Sequence, residues 1–486
     1  MLLPPPVPAP VAFHQLLYSA SSSSPAHHLT DATAAQNRVR STLKATKKDS
    51  LSDGRGADWA GAARAIAEYL PHLYAILAGV EADDLLLRTD PAMFAWRATL
   101  SSQTLKKGNK RVPLPSLHYE LTATLLAYAL CLANQASTLV ASLGSYEIAS
   151  SVSSSSIKVH DETINQAANT LCRASGVLVH LAEVVVPRWE TAVGVDALRQ
   201  RPVEMSREVA TALSKMCLAD ANLLAIRRLL SRSLSVAHST TTPGPPLPPA
   251  HPSPSLLAKL HLQVYTLYDE SRSIIKSLSS SHSSGEISPL LRRYLSDGRA
   301  LSLALSYKWL GVDAGERSAT GDALGYLAMA RKALDELREK DKGFGKIKGL
   351  AKRNEKAGRG RKGKVLEEVE STEAFASAYK KVNDSVHFQP IPSPQTLQSR
   401  LPAGRSALTL KPYTAPAPAF RPTIRSSGGG APLPPPKIPP PPSPASAQLE
   451  GGFGGLSLAG AAEDSSDEDD DEGQEVGDYF GAGQYF

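Results

Sequence analysis

The chain is 486 residues long with a formal net charge of +6, and aromatic residues make up only 6% of it. Scarce aromatics together with abundant Leu, Ala and Ser favour an all-α protein over one built on β-sheets. Its three cysteines, at positions 131, 172 and 217, lie far apart in apolar helical patterns, which excludes a disulfide framework and a Cys-x-x-Cys metal site and indicates a reducing compartment.

The N-terminal part of the chain changes from proline-rich to helical. Residues 1–27 predict a flexible or extended segment, and no basic stretch of the kind that opens a signal peptide precedes its apolar residues. Helical periodicity begins at Asp31, a suitable N-cap, and runs through two segments that meet near Pro71. The apolar stretch 121–143 carries Asn134 near its middle, so it predicts a buried core helix and not a membrane span.

Further helical segments follow, separated by stretches that predict disorder. Insertions at about 144–160 and 236–255 are rich in Ser and Pro respectively, and the second cannot be helical because proline removes backbone donors. The stretch 342–364 predicts a basic loop, with ten basic residues against one acidic residue.

This basic loop has three interpretations. Its lysines and arginines are candidates for contact with an anionic membrane surface or an acidic partner, in particular Lys346, Lys348, Lys352 and Arg353. Nucleic acid is less favoured, because Phe344 is the only aromatic residue in the stretch. The third interpretation is a solvated surface helix and loop without a partner.

From residue 416 to the end, the composition predicts a disordered tail. Residues 431–444 are polyproline-like and fit the grooves of SH3- or WW-type partners. Eleven acidic and no basic residues lie between Glu450 and the end, so the rest of the chain carries a charge of +17. Ser465 and Ser466 are followed by acids and are candidates for phosphorylation.

The sequence lacks the residue patterns of common active sites. It has no His-Glu-x-x-His, no Gly-x-Ser-x-Gly and no Walker loop, and its histidines are scattered. We therefore predict a binding protein and not an enzyme, with no cofactor and no metal.

The ordered set of helices resembles the Bro domain of Alix-like proteins. The resemblance rests on LHYELTATLLAYALCLANQAS, AANTLCRASGVLVHL and ALSKMCLADANLLAIRRLL, and it covers roughly residues 10–410. It implies a curved, right-handed, solenoid-like helical domain over residues 28–415, closed by an extended C-terminal strip.

Within that family, WRATLSS at 96–102, GFGKIKG at 343–349 and NDSVHFQPIP at 383–392 resemble fungal members that act in ambient-pH signalling. The resemblance implies a cytoplasmic adaptor, recruited to the plasma membrane or endosomes, that links a membrane pH-sensing complex to ESCRT-III. Its partners would be an ESCRT-III core subunit, through that subunit's C-terminal helix, and an arrestin-like or receptor component. Two alternatives stay open: general endosomal and multivesicular-body sorting, and nucleic-acid binding through 342–364.

The resemblance also implies two sets of site residues. Relatives carry an apolar run where this sequence has LLAKL, which makes Leu256 and Leu260 the anchors of the ESCRT-III helix and Leu257 their neighbour; an exposed pair at i and i+4 suits a helix-in-groove site. The four prolines within 382–405 argue against a long helix, and relatives suggest a packed strip instead. Its predicted members are Asn383, Asp384, Val386, Ile391, Pro392 and Leu397.

Overall fold

We analysed a computed structural model of the protein, which describes residues 2–20, 26–50, 56–88, 92–101, 111–144, 154–194, 201–237, 245–247, 251–278, 287–344 and 351–422. The helices are α1 (Phe13–Leu16), α2 (Ala26–Asp49), α3 (Trp59–Glu81), α4 (Leu117–Leu143), α5 (Ser154–His180), α6 (Val186–Val193), α7 (Arg207–Ala237), α8 (Pro254–Leu278), α9 (Pro289–Glu316), α10 (Thr320–Phe344), α11 (Ala351–Val382) and α12 (Pro394–Ser399). Short π-helical turns follow α5 and α11, at Leu181–Val185 and Asn383–His387, and a 3-10 turn covers Val203–Met205.

Four short strands accompany the helices. They are β1 (Leu17–Ser19), β2 (Leu85–Leu87), β3 (Met93–Arg97) and β4 (Arg111–Pro115), and they form two antiparallel pairs, β1 with β2 and β3 with β4.

The long helices form a linear array in which each packs mainly on its neighbours in the chain. The order of contact is α2, α3, α4, α5, α7, α8, α9, α10 and α11. Because each helix buries its apolar faces against the helices before and after it, the described core runs continuously through most of the array. The prediction of an all-α, solenoid-like fold is confirmed, since 74% of the structure is helical.

Helix α4 is a core helix, as the sequence predicts. Ser116 caps its N-terminus by accepting a hydrogen bond from the N–H of His118, and Asn134 is fully buried. By length and composition, three helical stretches could span a membrane, Leu117–Leu143, Ser156–Val193 and Arg207–Ser231. Their most apolar windows are 78%, 67% and 83% buried inside the array, which fits helices of a protein core.

The proline-rich N-terminus is extended and packed, so the prediction of flexibility is wrong for residues 2–20. Leu3 exchanges two hydrogen bonds with the buried Asn134 side chain, at 2.9 and 2.7 Å. Pro8 bridges to Trp96 on β3, and Phe13 is fully buried. Proline fixes an extended backbone here, and the apolar residues between the prolines supply the packing.

Several predicted boundaries are corrected by the structure. Pro71 lies inside the single helix α3 and not between two helices. Helix α5 begins at Ser154 and α8 at Pro254, so both predicted insertions are shorter than expected; proline at the first turn of α8 loses no hydrogen bond. The predicted basic loop is mostly helix, because α10 ends at Phe344 and α11 begins at Ala351.

Candidate partner-binding surface

The LLAKL segment lies at the start of α8, and most of it faces the core. Leu257 and Leu260 are 0% and 3% exposed, whereas Leu256 is half-buried. The prediction of an exposed leucine pair is therefore wrong for Leu260, and Leu257 offers no surface either. Only Leu256 can contact a partner without a rearrangement of the helix.

The burial of this segment has two causes. Helix α8 lies between α7 and α9 in the array, so both of its flanks are packed. In addition, the C-terminal segment of the chain crosses α8 on either side of Leu260. The N–H of Arg405 donates to the carbonyl of Lys259 at 2.9 Å, and a Cβ at Gly404 would lie 2.8 Å from the backbone nitrogen of Gln263. A glycine permits this close approach of two backbones.

An apolar edge remains beside Leu256. Helices α7 and α8 are antiparallel, as shown by the Lys215–Glu270 ion pair at 2.6 Å and the hydrogen bond from Ser271 to the Ala212 carbonyl at 2.7 Å. The end of α7 therefore lies beside the start of α8, and two of its leucines are also half-buried. We call Leu229, Leu230 and Leu256 the α7–α8 edge. The sequence analysis missed Leu229 and Leu230, because a leucine pair in a helical pattern looks like ordinary core.

The chain turns into its C-terminal strip at Asn383, directly after α11. We use "the strip" for residues 388–422. The Asn383 side chain accepts hydrogen bonds from Thr320 at 2.6 Å and from the Gln389 N–H at 3.0 Å, and it donates to the Gln389 carbonyl at 3.1 Å. One buried amide thus holds the end of α11, the start of α10 and the first residues of the strip together.

The other predicted strip residues do not all pack as expected. Leu397 is fully buried and Pro392 is half-buried, but Val386 and Ile391 are 64% and 59% exposed and Asp384 is exposed. The prediction that Val386 and Ile391 anchor the strip is wrong. The π-helical turn that contains Val386 is held by the backbone and by Asn383, so its apolar side chain is not needed for packing.

The strip crosses every long helix from α10 back to α2. Successive contacts are Tyr326 to the Leu397 carbonyl on α10, Tyr307 with Leu397 on α9, Arg405 on α8, Asn222 on α7, Lys411 to the Cys172 carbonyl on α5, Tyr413 beside Tyr128 on α4, Ala419 to the Pro71 carbonyl on α3, and Phe420 stacked on His28 of α2. The strip is therefore part of the folded body and not a linker.

Two residues anchor the middle of the strip. Asn222 is buried, and its side-chain oxygen accepts the N–H groups of Ala407 and Leu408 at 2.8 and 3.0 Å. A Cβ at Gly176 would overlap the carbonyl oxygen of Lys411. A small residue on α5 and an amide on α7 thus fix the register of the strip.

Charged groups in the interior are enclosed and paired. Lys308 and Glu368 form a buried ion pair at 2.7 Å. Burial raises the pKa of Glu120 to about 7, although its carboxyl accepts hydrogen bonds from Trp96 at 2.5 Å and Tyr69 at 3.1 Å. Asp220 is likewise buried with a raised pKa and accepts from two tyrosine hydroxyls. These groups stabilise packing and none faces an open cleft.

The cysteines show no sign of a reactive site. All three thiols are free and buried, and burial raises the pKa of each, that of Cys172 to about 11. Within the described ranges, no three His, Cys, Asp or Glu side chains come together as metal ligands.

Several predicted sites fall outside the described residues. These are Lys346, Lys348, Ser465 and Ser466. Lys352 and Arg353 lie within the backbone of α11, but their side chains are also outside the description. Membrane contact through the basic stretch and phosphorylation of the tail stay predictions.

Comparisons with known proteins give one family. A family model described as the BRO1-like domain matches residues 11–419. The pH-response regulator protein palC of Cryptococcus neoformans var. neoformans serotype D (strain B-3501A) is 36% identical over 457 residues, which cover 85% of this chain and 91% of that protein. The palC protein of Yarrowia lipolytica (strain CLIB 122 / E 150) is 24% identical over 449 residues, 84% of this chain and 92% of the relative.

Solved structures share the fold. The structure described as "ALIX BRO1 CHMP4C complex" superposes with a TM-score of 0.56 at 16% identity and covers 87% of this chain and 97% of that one. A second, described as "Structure basis for endosomal targeting by the Bro1 domain", gives a TM-score of 0.55 at 14% identity, with 85% and 92% of the two chains covered.

Proposed function

The chain belongs to the BRO1-like domain family, and we propose that it is a non-catalytic adaptor of ambient-pH signalling. The observation that carries the proposal is the 36% identity to a fungal pH-response regulator across 85% of this chain and 91% of that protein. The enclosed interior carboxylates and thiols give no support to catalysis. An adaptor acts through its surface, and its partners are the next question.

The proposed partner is an ESCRT-III core subunit, bound through its C-terminal amphipathic helix. Support comes from the fold, which is shared with a BRO1 domain solved in a complex named for CHMP4C. An amphipathic helix docks through a few apolar side chains spaced along one face. The α7–α8 edge offers three half-buried leucines on two adjacent helices, where such a helix can bury apolar area without unfolding the array.

The binding test uses variants at this edge. Leu230→Asp together with Leu256→Asp should reduce affinity for the isolated ESCRT-III helix by at least tenfold, since a charge would face the apolar side of the ligand. The matched control is Val159→Asp, on α5, where an exposed valine with 65% of its surface in solvent is changed in the same way. Circular dichroism must show equal helicity in all variants. Equal affinity in the double variant and the control would show that the helix binds elsewhere.

The cellular test separates pH signalling from general endosomal sorting. We propose that the protein is cytoplasmic and gathers at the plasma membrane when cells are shifted to alkaline medium, where an arrestin-like or receptor component recruits it. A fluorescent fusion, expressed from its own promoter in a deletion strain, should move to cortical sites on alkaline shift and restore alkaline growth. A fusion that marks only endosomes, with cargo sorting impaired in the deletion strain and alkaline growth intact, would favour the sorting function instead.

A further inference from the structure

Four basic side chains meet at the N-terminal end of the array without an acidic counterpart. Arg97 and Arg111 are directly opposite each other in the β3–β4 pair. Arg40 and Lys44 are one turn apart on α2, and both lie close enough to perturb the hairpin arginines electrostatically. We call these four residues the basic cluster.

The cluster is uncompensated within the part of the chain that the structure describes. None of its members forms an ion pair there, and the buried Nε atoms of Arg40, Arg97 and Arg111 have no hydrogen-bond partner. The neighbouring cations, Arg40 first, lower the pKa of Lys44, and burial together with Arg97 and Arg40 lowers the pKa of Arg111. Like charges opposite each other on strands, or one turn apart on a helix, destabilise the folded state.

An arrangement that costs stability and leaves buried donors unpaired is explained if an anion binds there. Guanidinium groups favour carboxylates and phosphates as partners, because their donors match two oxygens at once. A ligand with several negative charges would pair the unpaired donors and remove the mutual repulsion. The ligand expected is therefore polyanionic.

The chain itself contains such a ligand. Residues 463–475, here the acidic run, carry nine acidic residues and no basic residue. The strip ends where Phe420 stacks on His28, near the start of α2, with the ring centroids 4.7 Å apart. Arg40 and Lys44 lie farther along the same helix, about 18 and 24 Å from His28 at 1.5 Å per residue. The chain therefore leaves the described body in the same lobe that holds the basic cluster.

The connection is long enough for contact within one molecule. About 40 residues separate Pro422 from Glu463, and they can extend to about 130 Å at most, several times the distance required. A tethered segment of this kind reaches an effective concentration on the order of millimolar, which no free peptide of similar charge would match in a cell. We propose that the acidic run docks on the basic cluster of its own chain.

The test measures the distance between tail and body in the full-length protein. Because the native cysteines are buried, Ala34→Cys on the exposed side of α2 and Gly477→Cys behind the acidic run can carry a fluorophore pair. Energy transfer should be high at low salt. It should be mostly lost in about 1 M salt, where the screening length is about 3 Å. The quadruple variant Arg40→Gln, Lys44→Gln, Arg97→Gln and Arg111→Gln should lose it as well.

A matched variant removes the same amount of charge elsewhere. Changing Lys346, Lys348, Lys352 and Arg353 to Gln neutralises four cations of the basic stretch and should leave energy transfer unchanged. Loss of transfer in this variant, with the cluster variant unaffected, would overturn the proposal in favour of docking on the basic stretch. The α2 pair Arg40→Gln and Lys44→Gln alone, which leaves the hairpin intact, should give an intermediate loss.

Folding and lipid binding provide independent readouts. In a chain shortened by the acidic run, the cluster variant should melt at or above the temperature of its parent, because repulsion is relieved. Vesicles of phosphatidylcholine and phosphatidylserine test a membrane as the ligand. If the cluster variant loses vesicle binding while energy transfer in the full chain is unchanged, the cluster is a lipid-binding surface and the tail proposal is wrong.

Discussion

Replacing Asn222 with alanine should release the middle of the strip without unfolding the helices. The substitution removes the acceptor of the Ala407 and Leu408 N–H groups and the donor to the Leu408 carbonyl. An unpaired buried donor costs about 1–3 kcal/mol, and the lower end applies because these strip residues are half-exposed and water can replace the amide. Two donors therefore cost about 2 kcal/mol, which corresponds to a roughly 30-fold larger open population of the strip.

Hydrogen exchange followed by mass spectrometry measures this opening directly. Peptides that cover residues 404–412 should exchange roughly 30-fold faster in Asn222→Ala, whereas peptides from the interior of α4 keep their protection. The control is Asn165→Ala on α5, whose amide donates to an exposed carboxylate on its own helix. Equal exchange of the strip in both variants would show that Asn222 does not anchor it, and faster exchange throughout would show that the substitution acts on the helices.

Three further substitutions and one truncation test the packing. Lys308→Met should cost about 3–5 kcal/mol because it leaves the Glu368 carboxylate buried and unpaired, and adding Glu368→Leu should recover most of that loss in urea unfolding. Between pH 5 and 7 the folded state holds a proton on Glu120 that the unfolded state releases, so stability falls as pH rises; Glu120→Gln should flatten this slope, and an unchanged slope would exclude Glu120 as its source. Gly176→Ala should expose the strip to proteases at unchanged helicity, since its Cβ would overlap the strip backbone. Truncation after Lys380 should lower the melting temperature by several degrees; melting like the full chain would mean that the strip is energetically a linker.

The fold was predictable from the sequence where helical periodicity was strong. Helix α4 shows this best, because its apolar residues continue for seven turns and its polar Asn134 signals a core helix. The errors came where backbone chemistry depends on distant contacts. Proline-rich residues 2–20 look disordered in isolation, but they are held by Asn134 and by strand pairing with Trp96, both far away in the chain. Pro71 sits inside α3 because packing of the helix on both sides outweighs the local cost of a proline.

The candidate surface was less predictable for a physical reason. A leucine in a helical pattern has the same periodicity whether it faces a neighbouring helix or solvent, and only the position of α8 between two helices, beneath the strip, decides that Leu260 is buried. Leu230 is half-exposed for the converse reason, at the end of α7. The sequence did indicate the strip, since the prolines of residues 390–402 rule out helix and Asn383 begins a turn. It could not indicate that Val386 and Ile391 would point to solvent.

The strip changes how the helical array should be understood. In a linear array each helix contacts only its neighbours, so the free energy of opening one end is a local sum and the rest can stay folded. The strip contacts every long helix from α10 back to α2, so opening at any position between them also detaches the strip from the helices beyond. Local stability along the array is thereby coupled, and the strongest coupling falls near Asn222 and Lys259, where the strip is held by side-chain and backbone bonds together. The α7–α8 edge lies on these same two helices. A partner that docks there meets a surface whose geometry is fixed by the C-terminal end of the domain, which explains why prolines and small residues, and not apolar anchors, make up so much of the strip.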